Sequence, residues 1–197
     1  MKNNFLQLIK DFIFFPVRIF FEHETVKKLG LTSLQDERFN VCLPYIKGKI
    51  LDIGCGYGNK FIKKIGKDKG IGMDPYFLKD IDIVAKAEDM PFADKKFQTV
   101  TMMGTLRYIN NRDKAMQEIN RVLEDDGLVL ILENHPFLNN LRHALIWWNP
   151  YKNMELISGL RKKDIVTLAK ANGFKIKKIV RYVYNLSVMY ILVKKNY

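Results

Sequence analysis

Hydrophobic positions change their period along the chain, and each change predicts an element. Phe5, Leu8, Ile9, Phe12 and Ile13 recur three and four apart, which predicts an amphipathic helix over 3–15 that Pro16 ends or kinks. A second helical stretch runs from 17 towards 29, with Gly30 as its cap. Thr32 or Ser33 caps a third that reaches Tyr45, with Glu37 placed for a reciprocal capping role, and Gly48 closes this part. From Lys49 short apolar runs alternate with helical segments. Strands are predicted at 50–53, 70–73, 82–85, 97–103 and 128–132, and helices at 59–65, closed by Gly66, and at 113–123. In the latter Ala115, Met116, Ile119, Val122 and Leu123 share one face. The run 128–132 is apolar throughout, as expected of a strand covered on both sides. Residues 135–159 are irregular and aromatic. A helix over 161–171 ends at Asn172-Gly173, and strands 174–184 and 186–194 pair antiparallel around Asn185. Strands alternating with helices predict a doubly wound, mostly parallel α/β sheet of seven strands. Residues 1–46 form a helical extension and 47–197 the domain that carries the sheet. The chain contains no repeat or low-complexity tract.

Composition narrows the class. At 197 residues, 48% hydrophobic and 27% charged, the chain has the length of one domain and too much apolar surface to stay disordered. Its formal charge of +12 draws anionic partners such as nucleic acid, an acidic membrane face or an anionic substrate, and is equally compatible with a merely basic protein. Cys42 and Cys55 make neither a disulfide framework nor a metal-ligand spacing, so no metal is expected and a reducing cytoplasm is the simplest compartment. The most apolar stretch, 12–21, is interrupted by Pro16 and Arg18 and flanked by Asp11 and Glu22, too short and too polar to span a bilayer. It also lacks the small-residue cleavage site of a signal peptide.

The sharpest motif is Leu51-Asp52-Ile53-Gly54-Cys55-Gly56-Tyr57-Gly58-Asn59, where a strand hands over to a helix. Alternate glycines let the backbone turn tightly and approach a ligand. A dinucleotide fingerprint would place glycine or alanine at 59, whereas Asn59 stands there and the third glycine comes early, at Gly58. An acid at 52 suits a ligand carrying positive charge. On these residues the chain resembles the class I S-adenosylmethionine-dependent methyltransferases, of the small-molecule, type 11-like kind. Their first motif is matched by Asp52, Gly54, Gly56 and Gly58, their second-strand acid by Asp74 in Gly72-Met73-Asp74-Pro75, and their stretch before strand four by Ala87-Glu88-Asp89-Met90-Pro91-Phe92. The approach to their fifth strand is matched by Arg121-Val122-Leu123-Glu124-Asp125-Asp126-Gly127.

The resemblance implies a Rossmann-like methyltransferase fold that binds S-adenosyl-L-methionine and releases S-adenosyl-L-homocysteine. Asp52 would favour the amino group and order the loop. Gly54, Cys55, Gly56 and Gly58 would hold the methionine moiety. Asp74, followed by Pro75, would accept the ribose hydroxyls. Asp89 would take the adenine amino group beside Glu88, with Met90 on the ring. Gly104 and Leu106 would line the pocket near the sulfonium. Asp74-Pro75 also reads as a plain turn and Glu88 as a solvated loop acid. The sequence departs from the family at Gln98, at Tyr108 and at Asp125-Asp126, and the first two put the substrate class in doubt.

The acceptor belongs beyond the carboxyl ends of the strands, where Tyr108, Glu133, Asn134 and His135 fall. His135 is the candidate general base, with Tyr108 next, and Glu133 or Tyr108 as orienting partner. His135 also reads as a turn residue before Pro136. His23 and His143 are weaker candidates. Met103-Gly104-Thr105-Leu106 replaces the Asn/Asp-Pro-Pro-aromatic run of amino-directed base methyltransferases, and neither cysteine follows proline. Lys60, Lys63, Lys64, Lys67 and Lys69 read as a solvated face. The expected acceptor is therefore a small molecule, a sugar or a lipid-linked intermediate, with no specific nucleic acid. RNA methylation and a non-catalytic cofactor-binding partner are the alternatives. The resemblance is to the subfamily that includes quinone and sterol enzymes. The aromatic N-terminal segment and Trp147-Trp148 would cover an apolar pocket or touch a membrane surface, or the extension simply packs on the sheet. A cytoplasmic protein with peripheral membrane contact is one outcome of that choice.

Overall fold

Ile50–Ile53 is short and apolar, and all four residues are buried, as a strand in the middle of a covered sheet must be. The computed structural model describes residues 4–21, 23–134 and 160–195. Around this first strand, β1, lie β2 (Gly70–Asp74), β3 (Ile83–Val84), β4 (Phe97–Met103), β5 (Leu123–Asn134), β6 (Phe174–Tyr182) and β7 (Ser187–Lys194), in the order β3-β2-β1-β4-β5-β7-β6. The first five are parallel, and β7 runs antiparallel to both β5 and β6. The seven-stranded, mostly parallel sheet is the one the sequence predicts.

Chain order reverses between β1 and β4. In such sheets the crevice at that switch point, beyond the carboxyl ends of the strands, is where ligands bind. The helices are α1 (Asn4–Ile13), α2 (Phe15–Phe20), α3 (His23–Lys28), α4 (Leu34–Cys42), α5 (Lys60–Ile65), α6 (Arg112–Val122) and α7 (Lys162–Ala171). On one sheet face Met116, Ile119 and Ile165, from α6 and α7, pack with Val100, Met102, Val129 and Ile131. On the other Phe39, Cys42, Phe61 and Ile62, from α4 and α5, pack with Ile50, Leu130, Leu132 and Ile191. Both faces of β5 are thus covered, which explains its unbroken apolar run.

Several boundaries differ from the sequence reading. The helix expected over 17–29 is two, because Phe21 is extended (ψ 152°) after α2. Pro16 does not end a helix but sits in the first turn of α2, where its missing N–H costs nothing. Ser33 caps α4, accepting from the Asp36 N–H at 3.0 Å, and α4 stops at Cys42. Glu37 plays no part in that cap; it pairs with the buried Arg18. β3 keeps two of four expected residues, while β5 begins at Leu123, across a register shift against β4. Val183, Tyr184 and Asn185 all take positive φ in the β6–β7 turn, so the expected hairpin forms with shorter arms.

Candidate active site

The loop after β1 is held by its own backbone. Gly54 (φ +70°) donates to the Met73 carbonyl at 2.8 Å, and any side chain there would run into Thr105. Gly56 (φ +66°) faces open space, room that a bound group can occupy. Its N–H donates to Asp74 Oδ2 at 3.1 Å, while the Tyr76 N–H donates to Asp74 Oδ1 at 3.1 Å. Asp74 is thereby fixed at the end of β2, with Pro75 in the turn behind it. Each oxygen has accepted one bond, and a carboxylate offers about four lone-pair sites. Gly58 donates to the Lys79 carbonyl at 2.9 Å.

Asn59, where a dinucleotide fold would place glycine, is itself left-handed (φ +46°). Its Nδ2 donates to Asp82 Oδ2 at 2.8 Å, and the Gly72 N–H donates to the same oxygen at 2.7 Å. Gly72 has no room for a side chain, since an added Cβ would collide with the Asn59 amide. Asn59 and Asp82 therefore tie the loop to β2. Sequence reasoning missed this pair, although the departure at position 59 was its visible trace.

Asp52 is buried and accepts the Thr101 hydroxyl at 2.6 Å. Burial pushes its carboxyl up to about 7, with the Asp74 charge adding to the rise and the Thr101 hydroxyl opposing it. The Cys55 thiol is pushed up to about 12 by burial and then by Asp52, Asp74 and Asp82, so it is no nucleophile near neutral pH.

Before β4, Met90 is buried. Its N–H donates to Glu118 Oε2 at 2.9 Å and its carbonyl accepts Arg121 Nη2 at 3.0 Å, pinning this stretch to α6. Asp89 beside it is exposed. Glu88 accepts the Asn111 N–H at 3.3 Å, a loop contact at the start of α6. After β4, Gly104 takes φ +76°, but Leu106 is fully buried in the core beneath the short 3₁₀ turn Leu106–Tyr108, so its side chain does not line the cavity. Tyr108 is half exposed, outside the cavity lining, with the Arg107 guanidinium 6.0 Å from its ring. Glu133 turns inwards to Arg107 at 2.5 Å, a buried ion pair, rather than to the rim. Burial pushes its carboxyl up against the lowering effect of Arg107. His135, His143, Trp147 and Trp148 lie outside the described residues.

A cavity of about 400 Å³ opens over the loop. Asp52, Gly54, Cys55 and Gly56 form one wall, and Ile19, Phe21, His23 and Val26 of the extension another. Arg38, Met103, Asn134, Tyr182 and Ser187 also line the cavity. Asn134 Oδ1 accepts from Arg38 Nη2 at 3.4 Å and from the Ser187 hydroxyl at 3.1 Å. The Tyr182 hydroxyl is buried without a partner among the described residues. Arg38, Tyr182 and Ser187 converge from distant stretches of chain, and no local pattern marked them.

A model of the methyltransferase domain matches residues 25–179. The chain belongs to that family. That family is of class I, and its members use S-adenosyl-L-methionine as methyl donor. An uncharacterized protein of Methanocaldococcus jannaschii is 28% identical over 138 residues, 66% of this chain and 65% of that one. The ubiquinone/menaquinone biosynthesis C-methyltransferase of Rickettsia prowazekii is 30% identical over 129 residues, 53% of this chain and 52% of that enzyme. The chain thus spans about half to two thirds of the length of these curated relatives. A methyltransferase structure from Thermotoga maritima superimposes with a TM-score of 0.66 at 18% identity, covering 81% of this chain and 88% of the other. One from Aquifex aeolicus does so at 0.60 and 15%, covering 88% and 99%. At those identities the likeness is one of fold.

Proposed function

We propose that this methyltransferase transfers a methyl group from S-adenosyl-L-methionine to a small-molecule or lipid-linked acceptor seated in the cavity above the glycine loop. The observation that carries the reading is the cavity itself. It joins the donor loop at Asp52–Gly56 to a polar wall of Arg38, Asn134 and Tyr182, under a roof formed by the extension. Its volume of about 400 Å³ falls within the range of small-molecule pockets. The similarity to quinone C-methyltransferases supports an acceptor of that size.

The residues fit the cofactor. Gly56 leaves open space where a Cβ would stand, Asp52 offers a buried carboxylate for an ammonium, and Asp74 keeps acceptor capacity for hydroxyls. The exposed Asp89 would take the adenine amino group, whereas the Met90 side chain packs in the core and not on the ring. Bound S-adenosyl-L-methionine supplies an electrophilic methyl group and leaves as S-adenosyl-L-homocysteine. The chain contributes positioning and dryness: Ile19, Phe21 and Val26 exclude water, while Arg38 and the Tyr182 hydroxyl orient polar groups of the acceptor. If the acceptor atom must shed a proton, His135, next in sequence after the cavity-lining Asn134, takes it, with Tyr108 as the second choice.

The test pairs binding with turnover. S-adenosyl-L-homocysteine titrated calorimetrically into wild type and Asp74→Ala should bind the variant at least ~tenfold more weakly, the loss expected when hydrogen bonds to a charged acceptor are removed. Equal affinities would sink the site assignment. Labelled methyl from the cofactor, incubated with protein and cell extract, should appear in the small-molecule or lipid fraction. Label in RNA, or intact cofactor binding with no transfer, would replace this reading by one of the two alternatives.

A further inference from the structure

The first helix is turned inside out. Gln7 and Asp11 face the protein, while Phe5, Leu6, Leu8, Ile9 and Ile13 are exposed and Phe12 of the apolar stripe reaches a neighbour, Tyr184. Asp11 is 5% exposed, and its Oδ1 accepts from the Thr32 N–H at 2.9 Å and from Gln7 Nε2 at 3.0 Å. Gln7 Nε2 also donates to the Gly30 carbonyl at 3.1 Å, and the buried Arg18 donates to the Asp11 carbonyl at 3.2 Å. Phe5, Leu6 and Ile13 are 76%, 74% and 63% exposed on the other side, and Leu8, Ile9, Phe14, Phe20 and Phe21 are exposed with them. A helix docked by its apolar stripe would show the reverse. Contiguous exposed apolar patches of this kind mark interaction sites.

The flanking charges indicate what covers the face. Lys10 lies on α1 itself and is exposed. The Gln7–Gly30 bond sets the end of α3, with exposed Lys27 and Lys28, beside it. Aromatic and aliphatic side chains bordered by lysines, on a chain of net charge +12, complement the boundary between acyl chains and acidic headgroups. We infer that α1 and α2 form a docking surface for an acidic lipid bilayer, with the apolar side chains entering the boundary and the lysines meeting headgroups. Phe21 belongs both to this face and to the cavity wall, so the docked face borders the mouth of the cavity. The inference rests on the face and not on the identity of the acceptor.

The experiment is flotation of the full chain with vesicles of phosphatidylcholine alone and of phosphatidylcholine mixed with phosphatidylglycerol. Wild type should float with the mixed vesicles, and salt should release part of it. Phe5→Gln, Leu6→Gln and Ile13→Gln combined should lower that binding at least ~tenfold, because each side chain loses its apolar transfer. Melting temperature and S-adenosyl-L-homocysteine affinity in solution should stay unchanged, which separates lost docking from lost folding. The pair Lys10→Glu and Lys28→Glu should weaken binding to the mixed vesicles alone. Wild type that floats with neither vesicle overturns the inference, as does a triple variant that floats as well as wild type. Equal flotation with both vesicle types overturns the assignment to an acidic surface. A wild-type dimer on sedimentation that the triple variant dissolves would give the face to a second copy of the chain.

Discussion

Asp52 shows how a single buried carboxyl is set against stability, a cost that its proposed role towards the cofactor's ammonium would explain. Its carboxyl, raised to about 7 by burial, keeps a proton in the folded state that the unfolded chain releases near ~3.9. The folded state therefore binds more protons across that interval, and stability falls as pH rises from the unfolded value to about 7, then levels off. Asp52→Asn, which keeps an oxygen for the Thr101 hydroxyl, should melt higher than wild type at pH values above that window and no differently near its acid end. Thermal melts across the range check it, and a constant difference would remove the burial argument. The same variant should bind S-adenosyl-L-methionine at least ~tenfold more weakly, since an ammonium left without its carboxylate loses a charged hydrogen bond. In wild type, cofactor affinity should climb as pH passes through about 7, because the ammonium needs the ionised form. His135→Ala should lower turnover by ~10²-fold or more, with cofactor affinity unchanged, if the acceptor must lose a proton. Unchanged turnover would leave positioning alone or pass the role to Tyr108.

At the scale of elements, the extension hangs on one side chain. Arg18 of α2 is buried and donates to the Thr32 carbonyl at 2.7 Å, the Asp11 carbonyl at 3.2 Å and the Tyr184 hydroxyl at 3.3 Å, and it pairs with Glu37 on α4. Phe12 and Phe15 meet Tyr184 edge-on, at 5.4 and 5.2 Å between ring centres. Arg18→Ala would leave three acceptors and a half-buried carboxylate without their donor, a loss of about 3 kcal/mol. Because the sheet has its own two cores, that loss should fall on α1 to α3. Amide exchange there should quicken while β1, β4 and β5 keep their protection. Uniform loss of protection would mean that extension and sheet unfold as one unit. The glycine loop is the opposite case. It is tied to β2 by Asn59, Asp82 and Asp74, contacts within a short span of sequence, and its motif is legible in the order of residues alone.

For the whole molecule the net charge is the feature most open to misreading. Lys63 pairs with Asp80 at 2.6 Å and Lys64 with Asp36 at 3.3 Å, so the lysine cluster around α5 is partly neutralised by its own neighbours. Nucleic acid should bind without sequence preference and lose affinity steeply between ~50 and ~200 mM salt, as phosphate-only contacts do. Tight RNA binding that persists in high salt would overturn this. None of the helices among the described residues is long and apolar enough to cross a membrane, so the membrane contact inferred for α1 and α2 is one of surface docking. Elements whose signal is local can be read straight from the chain. These are the short strand β1, the apolar run of β5, the glycine turn with Asp52 and Asp74, and the helical faces of α6 and α7. Each rests on backbone geometry or side-chain periodicity within a few residues, which composition at those positions already dictates. Features that depend on partners far away in sequence emerge only when the chain has folded. The apolar stripe of α1 predicted burial. The bonds that Asp11 and Gln7 make to Thr32 and Gly30 turned the stripe outwards instead. Arg38, Asn134 and Tyr182 became one wall only because α4, β5 and β6 bring them to the same cavity. Periodicity fixes which residues share a face of a helix, but which face docks is settled by the polar groups that must find partners once the chain has closed on itself.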